Sequence, residues 1–302
     1  MKKLVIIGLT LGVMINSCSK DKELNPAEHE NFNSSKPAPT IESLTLTGHW
    51  QKGYYKGELI GYEKKNNLNL FLGDIMLRDD EISAKPQKKF DKVMGTGIAE
   101  FSALWPDGIV KYEIDPSTSN ERRQAIITAM KNWSHSTKIR FFDVSGSNNK
   151  GDYVHLVYGN IGNNSYVGRI GGKQALNLEN DGVGVIVHEL GHALGMFHEQ
   201  MRSDRDSYIR IVWDNIQPDW QPQFFQYASA DNVLANAPRT TFDFKSIMLY
   251  SSISTTAVDI NFPVMTKLNG DIWGDNVYEG TNAPSLTDAK WVRVKYQNLK
   301  HK

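Results

Sequence analysis

The rhythm of apolar and polar positions changes several times along this chain, and each change marks a different kind of segment. Met1-Lys2-Lys3 leads into a mostly apolar run over residues 4–15, too short to span a bilayer and shaped like an export signal. Residues 19–40 then turn polar, rich in Asn, Lys, Glu and Ser with three prolines, and hold too little apolar content to fold, so they read as a tether. Further on, strand-like runs fall at 108–114, 138–144 and 153–158. Between the first two, Ile126, Ala129, Met130 and Trp133 recur at helical spacing behind Thr118-Ser119-Asn120-Glu121, a capping-box pattern that predicts a helix. A second helix is predicted over 184–197.

Composition narrows the class. The 302 residues are 40% hydrophobic, enough for a sizeable core, and carry 34 basic against 34 acidic side chains. That balance leaves no electrostatic footprint for nucleic acid, and no nucleic-acid partner is expected. Cys18 is the single cysteine, so no internal disulfide can staple the fold.

The predicted second helix carries His188-Glu189-Leu190-Gly191-His192-Ala193-Leu194-Gly195-Met196-Phe197-His198. Four residues is a little over one helical turn, so His188 and His192 project from one face and can share a metal ion. A catalytic zinc takes three protein ligands and keeps a fourth position open. Gly195 can adopt the left-handed conformation that ends a helix, bringing His198 round as third ligand. Glu189 is then the expected general base toward a metal-bound water. HExxH alone also occurs by chance on amphipathic helices, its histidines satisfied by hydrogen bonds; Gly195 and His198 at this spacing give the fuller metzincin protease pattern.

Beyond the third histidine the chain reads Glu199-Gln200-Met201-Arg202-Ser203-Asp204-Arg205-Asp206, and later Ser246-Ile247-Met248-Leu249-Tyr250. With Ser165-Tyr166-Val167-Gly168-Arg169-Ile170-Gly171-Gly172, Tyr208-Ile209-Arg210-Ile211 and Leu104-Trp105-Pro106-Asp107-Gly108, these strongly resemble the astacin family of zinc endopeptidases over roughly residues 96–298. The resemblance implies a two-lobed α+β metzincin fold, with a mixed sheet and two long helices above a cleft and a less regular lobe below. It implies one catalytic Zn²⁺ on His188, His192 and His198. Met248 becomes the apolar floor under the metal, and Tyr250 an oxyanion-stabilising phenol. Lys173–Leu178 becomes a cleft-facing edge strand that binds extended peptide. Glu199 becomes the partner of a buried new N-terminal ammonium, although an ordinary helix-end carboxylate reads equally well there. Lys267 or Arg239 is a candidate basic residue for substrate choice. His29, His49, His135, His155 and His301 lack metal spacing.

Departures from the family pattern are also visible. Leu249 stands where histidine is usual, and Phe242-Asp243-Phe244 replaces Tyr-Asp-Tyr. Asn163, Asn180 and Gln297 occupy positions where disulfide cysteines are expected, so the core and the metal must hold the domain together.

Upstream, Ile15-Asn16-Ser17-Cys18 resembles the lipobox of bacterial lipoproteins, with Asn16 an unusual occupant; Cys18 is a candidate for acylation, the alternative being an ordinary cleaved signal with an incidental cysteine. Phe71-Leu72-Gly73-Asp74 matches the FxGD motif of astacin propeptides, whose aspartate takes the open zinc position; as a lone tetrapeptide it is a turn between strands. Lys88, Lys89 and Lys92 precede a flexible-looking stretch where processing is expected. The expected organisation is a signal peptide over 1–17, a lipid-anchored tether over 18–40, a propeptide over 41–95 and a catalytic domain over 96–302. The expected protein is an exported, latent, monomeric zinc endopeptidase acting on extended peptides, touching membrane only through its lipid, with the mature domain released on activation. The alternative from another class is a non-catalytic surface protein that binds peptides or mediates adhesion on the same fold; a nearer one is another metzincin subfamily.

Overall fold

The computed structural model describes residues 38–86, 104–227, 241–277 and 281–297. The signal, Cys18, the Lys88–Lys92 cluster, the expected processing point near 96, Arg239, His29 and His301 lie outside them.

The first half of the described chain is an antiparallel meander: β1 Trp50–Tyr55, β2 Glu58–Lys65, β3 Leu68–Phe71, β4 Ile75–Leu77 and the short β5 Ile82–Ser83. Its first two hairpins are two-residue turns, Lys56-Gly57 and Asn66-Asn67, with positive φ at all four positions. Such turns match the right-handed twist of the flanking strands.

The second half begins with β6 Ile109–Ile114, then α1 Asn120–Ser136, β7 Arg140–Asp143, β8 Tyr153–Tyr158, β9 Asn164–Ser165, β10 Lys173–Leu178 and α2 Val183–Ala193. The strands of both halves form one mixed sheet in the order β5-β1-β2-β3-β4-β9-β10-β8-β6-β7. Pairing is parallel for β6 with β7 and β8, for β8 with β10, and for β4 with β9. A smaller sheet of β11 Ile209–Ile211 and β12 Met265–Lys267 lies among short 3₁₀ turns, and α3 Leu286–Gln297 closes the described chain.

The predicted α+β class and mixed sheet hold, with three boundary differences. The first helix is capped by Ser119, whose side chain accepts from the Arg122 amide, because Thr118 is buried in the preceding turn. The second ends at Ala193 rather than 197, since Gly195 turns the chain at φ 103°. Lys173–Leu178 is not an edge: β10 lies between β8 and β9, and two-residue β9 is too short to announce itself by alternation.

α1 packs on α2 through Ile126, Ala129, Met130 and Trp133, all buried. The Trp133 and Trp105 indoles donate to the carbonyls of Val187 and Ala193 at 2.9 and 2.8 Å, tying the helix that carries the histidines into the core at both ends. A second apolar cluster unites the meander with Phe197, Met201 and Tyr227, and a third fills the irregular lobe. Among the described residues no helix is long and apolar enough to cross a membrane.

Candidate metal centre and active site

Every residue of α2 from Gly184 onward is buried. Its exit is a Schellman turn: the Gly195 amide donates to His192 at 2.7 Å and the Met196 amide to Gly191 at 3.0 Å. The turn also sets a ligand, because the Met196 carbonyl lies 2.8 Å from His192 Nδ1. His188 Nδ1 lies 2.7 Å from the Ile247 carbonyl. Each carbonyl takes the Nδ1 proton and leaves an Nε2 lone pair aimed at one point.

His198 arrives from beyond the turn, its Nε2 3.3 Å from His188 Nε2. Burial pulls its pKa down to about 4, keeping the ring neutral and able to ligate. The Asp74 carboxylate enters from the N-terminal meander: Oδ2 is 3.2 Å from His188 and 3.1 Å from His198, and Oδ1 is 3.4 Å from His192. Although burial opposes it, the electrostatic pull of the His198 and His192 rings and the hydrogen bonds from His188 and His192 hold Asp74 well below the usual carboxylate range. The four donor atoms lie within 4.8 Å of one another. His192 Nε2 and Asp74 Oδ1 are buried without a hydrogen-bond partner among the described residues. Three imidazole nitrogens and one carboxylate converging this closely in a buried site are a donor set suited to zinc.

Asp74 is brought there by a turn between β3 and β4 in which Leu72 takes φ 58° and Gly73 φ 90°. FLGD is therefore both a turn and the bearer of the fourth donor. A Cβ on Gly73 would lie 3.0 Å from the Gln223 side chain and 3.1 Å from the Tyr250 hydroxyl.

Glu189 is buried, and its Oε2 has no hydrogen-bond partner among the described residues. Burial, with the Asp74 charge adding, pushes its pKa well above the ordinary value. Tyr250 leans on His198 with ring centroids 4.5 Å apart and donates its hydroxyl to the Leu72 carbonyl at 2.5 Å. Met248 is fully buried, its sulfur 2.7 Å from where a Gly191 Cβ would sit, so only glycine lets α2 approach the turn this closely.

Glu199 faces the backbone of this turn from below. Its Oε1 accepts from Arg202 at 2.8 Å and from the Asp243 amide at 2.9 Å, and its own amide donates to the Met248 carbonyl at 2.9 Å. Burial raises its carboxyl to about 7 despite the Arg202 charge. Leu249 sits buried in the lower cluster, Phe242 stacks on Tyr208, and Phe244 packs edge-on to Trp273, so these departures from the family pattern are packing changes. Asn163, where a disulfide cysteine was expected, accepts the amides of Glu179 and Asn180 at 2.8 and 3.1 Å, a polar brace between the two segments. Lys267 lies over the Phe244 ring. His155 sits between Glu113 and Asp115, away from the metal cluster.

Asp288, which the sequence reading missed, braces the backbone beside the site. Its carboxylate accepts from the Ser246 hydroxyl at 2.7 Å, the Ile247 amide at 3.0 Å and the Ser285 amide at 2.9 Å. Ser285 Oγ in turn accepts from the Asp288 amide at 2.9 Å. The capping box of α3 thus also fixes the Ile247 peptide, whose carbonyl orients His188. The spacing Ser285-Leu286-Thr287-Asp288 is its visible signal.

Comparison with known proteins agrees with this geometry. The family model for the Astacin peptidases matches residues 97–297. Zinc metalloproteinase nas-14 of Caenorhabditis elegans is 32% identical over 270 residues, covering 82% of this chain and 52% of that protein. Bone morphogenetic protein 1 of Xenopus laevis is 35% identical over 151 residues, 49% of this chain and 20% of that one. Among solved structures, the hatching enzyme zinc-protease High choriolytic enzyme 1 of Oryzias latipes superposes with a TM-score of 0.56 at 31% identity, covering 65% of this chain and 95% of its own. The chain belongs to the astacin family of zinc metalloproteases, whose members use one catalytic zinc. It spans about half or less of the length of the curated relatives nas-14, nas-15 and nas-6.

Proposed function

We propose that this protein is an exported zinc endopeptidase held latent by its own N-terminal segment. One observation carries the reading: the Asp74 carboxylate lies 3.1–3.4 Å from the ring nitrogens of all three histidines, where a hydrolytic water would otherwise bind. His188, His192 and His198 would hold the ion. When bound, zinc lowers the pKa of a coordinated water and polarises the substrate carbonyl. Glu189 Oε2 takes the proton of the attacking water and passes it to the departing amine. Tyr250, freed from the Leu72 carbonyl, donates its hydroxyl to the oxygen that gains negative charge. Met248 and Gly191 hold the floor, and Asp288 and Glu199 hold the backbone on which it rests.

Protein or peptide substrates would lie extended along β9, where the Ser165 amide now donates to the Asp74 carbonyl at 2.9 Å. A buried Glu199 suits an ammonium arriving from a newly cut terminus near 96. Acylation at Cys18 would anchor the precursor to a membrane, and the catalytic domain would act as a monomer.

The test is peptide cleavage by residues 19–302 before and after limited trypsin, with and without a zinc chelator, beside Glu189→Gln. Chelator-sensitive activity that appears on trimming and is absent from a zinc-loaded Glu189→Gln protein supports the reading. Unchanged activity in that variant rejects the mechanism. Inactivity of every zinc-loaded form would favour the peptide-binding alternative.

A further inference from the structure

The pro-segment does more than carry one aspartate. Residues 50–83 form the five-stranded meander, and it shares an apolar cluster with the catalytic part: Tyr55, Ile60, Tyr62, Phe71, Leu72, Ile75 and Leu77 pack with Phe197, Met201 and Tyr227. Met201 is fully buried in that cluster. Removing the meander would expose it, together with the face that Val167 and Phe225 flank.

The segment is also fastened beside both lobes of the cleft. Along the upper sheet, Ile75 pairs with Ser165, and the Arg78 guanidinium donates to the Ile170 carbonyl at 3.1 Å. On the lower side, Thr47 donates its hydroxyl and amide to Asp219 at 2.6 and 3.0 Å, and Trp50 meets Trp220 edge-on at 5.4 Å. Gly61 packs so closely on Pro222 that a Cβ would come within 2.8 Å of it. None of these contacts depends on the covalent connection between Pro86 and Leu104.

We infer that the folded pro-segment stays bound after that connection is cut, acting as a non-covalent inhibitor of the processed enzyme. This rests on the latency reading above. Cutting the link removes only the effective concentration it supplied, on the order of millimolar for a short linker. The sheet pairing, the shared core and the contacts of Asp74 and Leu72 all persist. Activation then takes two events: a first cut, and a second that destroys or dilutes away the meander. With a lipid at Cys18, the same contacts keep the nicked enzyme at the membrane until the second event, so the first cut alone does not release it.

The experiment uses zinc-loaded residues 19–302, nicked by limited trypsin to one cut between Pro86 and Leu104 as verified by mass. Size-exclusion chromatography reads retention, and peptidase activity is followed on dilution. For a Kd of about 10 nM, specific activity at about 1 µM should be roughly tenfold below that at about 1 nM. The two fragments should co-elute in buffer and separate in denaturant. A Thr47→Ala, Trp50→Ala double variant should raise the Kd, while the separated catalytic fragment keeps the wild-type rate. Separation of the wild-type fragments at about 1 µM on nicking, or co-elution with activity independent of dilution, overturns the inference. If the intact chain is already fully active, the latency reading fails instead, and co-elution still decides retention.

Discussion

His188 and His192 stand on a buried helix with their rings pinned by backbone carbonyls at 2.7 and 2.8 Å, whereas Asp74 reaches the same point from a surface meander through a turn with Leu72 and Gly73 at positive φ. The histidine floor is set by local helix geometry, a helix-ending glycine and the backbone of the Met248 turn. The position of Asp74, the proposed latch, is set by strand pairing and by cross-lobe contacts far from it in sequence. A leucine at φ 58° is disfavoured and persists because its side chain is buried in the shared cluster and its carbonyl accepts from Tyr250. The contrast teaches that the floor should behave alike in the intact chain and in the separated catalytic fragment, while changes to the latch should register only where the meander is bound.

Four substitutions can break or sharpen that division. The largest effect is expected from Tyr250→Phe, which removes one oxyanion donor and should lower the kcat of the processed enzyme by ~10²–10³ with KM little changed. An unaltered kcat would remove Tyr250 from the chemistry. Next, Asp288→Asn should weaken zinc binding by ~10–100-fold in intact and processed forms alike, measured by chelator competition, with activity returning at saturating zinc. An effect confined to thermal stability would make Asp288 a helix cap and nothing more.

Gly73→Ala belongs to the latch. Its positive φ and the crowding against Gln223 and Tyr250 should weaken the latch by roughly tenfold, raising the activity of the intact chain and of the nicked complex and leaving the separated catalytic fragment unchanged. A change in the separated catalytic fragment would contradict the division. The smallest effect is expected from Asn163→Ala, which frees the Glu179 and Asn180 amides. It should lower the unfolding free energy by about 1–2 kcal/mol without altering zinc affinity or rate.

The floor was legible in the sequence because its signals are contiguous: three histidines, Glu189 and Gly195 fall within eleven positions of one helix and its exit. The helix with Trp133 and the strands β6 and β8 were readable for the same reason, their periods being local. The meander was not read beyond FLGD, although Lys56-Gly57 and Asn66-Asn67 are hairpin-type pairs. Its apolar positions face the shared cluster rather than a core of their own, and this blurs the alternation. Strand β9 holds two residues and has no period to detect. Asp288 accepts from the Ile247 amide and the Ser246 hydroxyl, 41 and 42 positions upstream, and only the reciprocal capping pattern at Ser285 hinted at it. The polar brace at Asn163 joins segments 16 and 17 positions apart, and an asparagine there carries no sign of its partners.

The most direct test of the central claim is the peptidase activity of the untrimmed, zinc-loaded chain carrying Asp74→Ala, set against the untrimmed wild type and the trypsin-processed enzyme. The account predicts an untrimmed variant whose chelator-sensitive activity far exceeds that of the untrimmed wild type, with zinc content unchanged because the three histidines remain. Activity as low as in the untrimmed wild type, in a variant that still binds zinc and becomes active on trimming, would contradict the claim that Asp74 is what holds the enzyme latent.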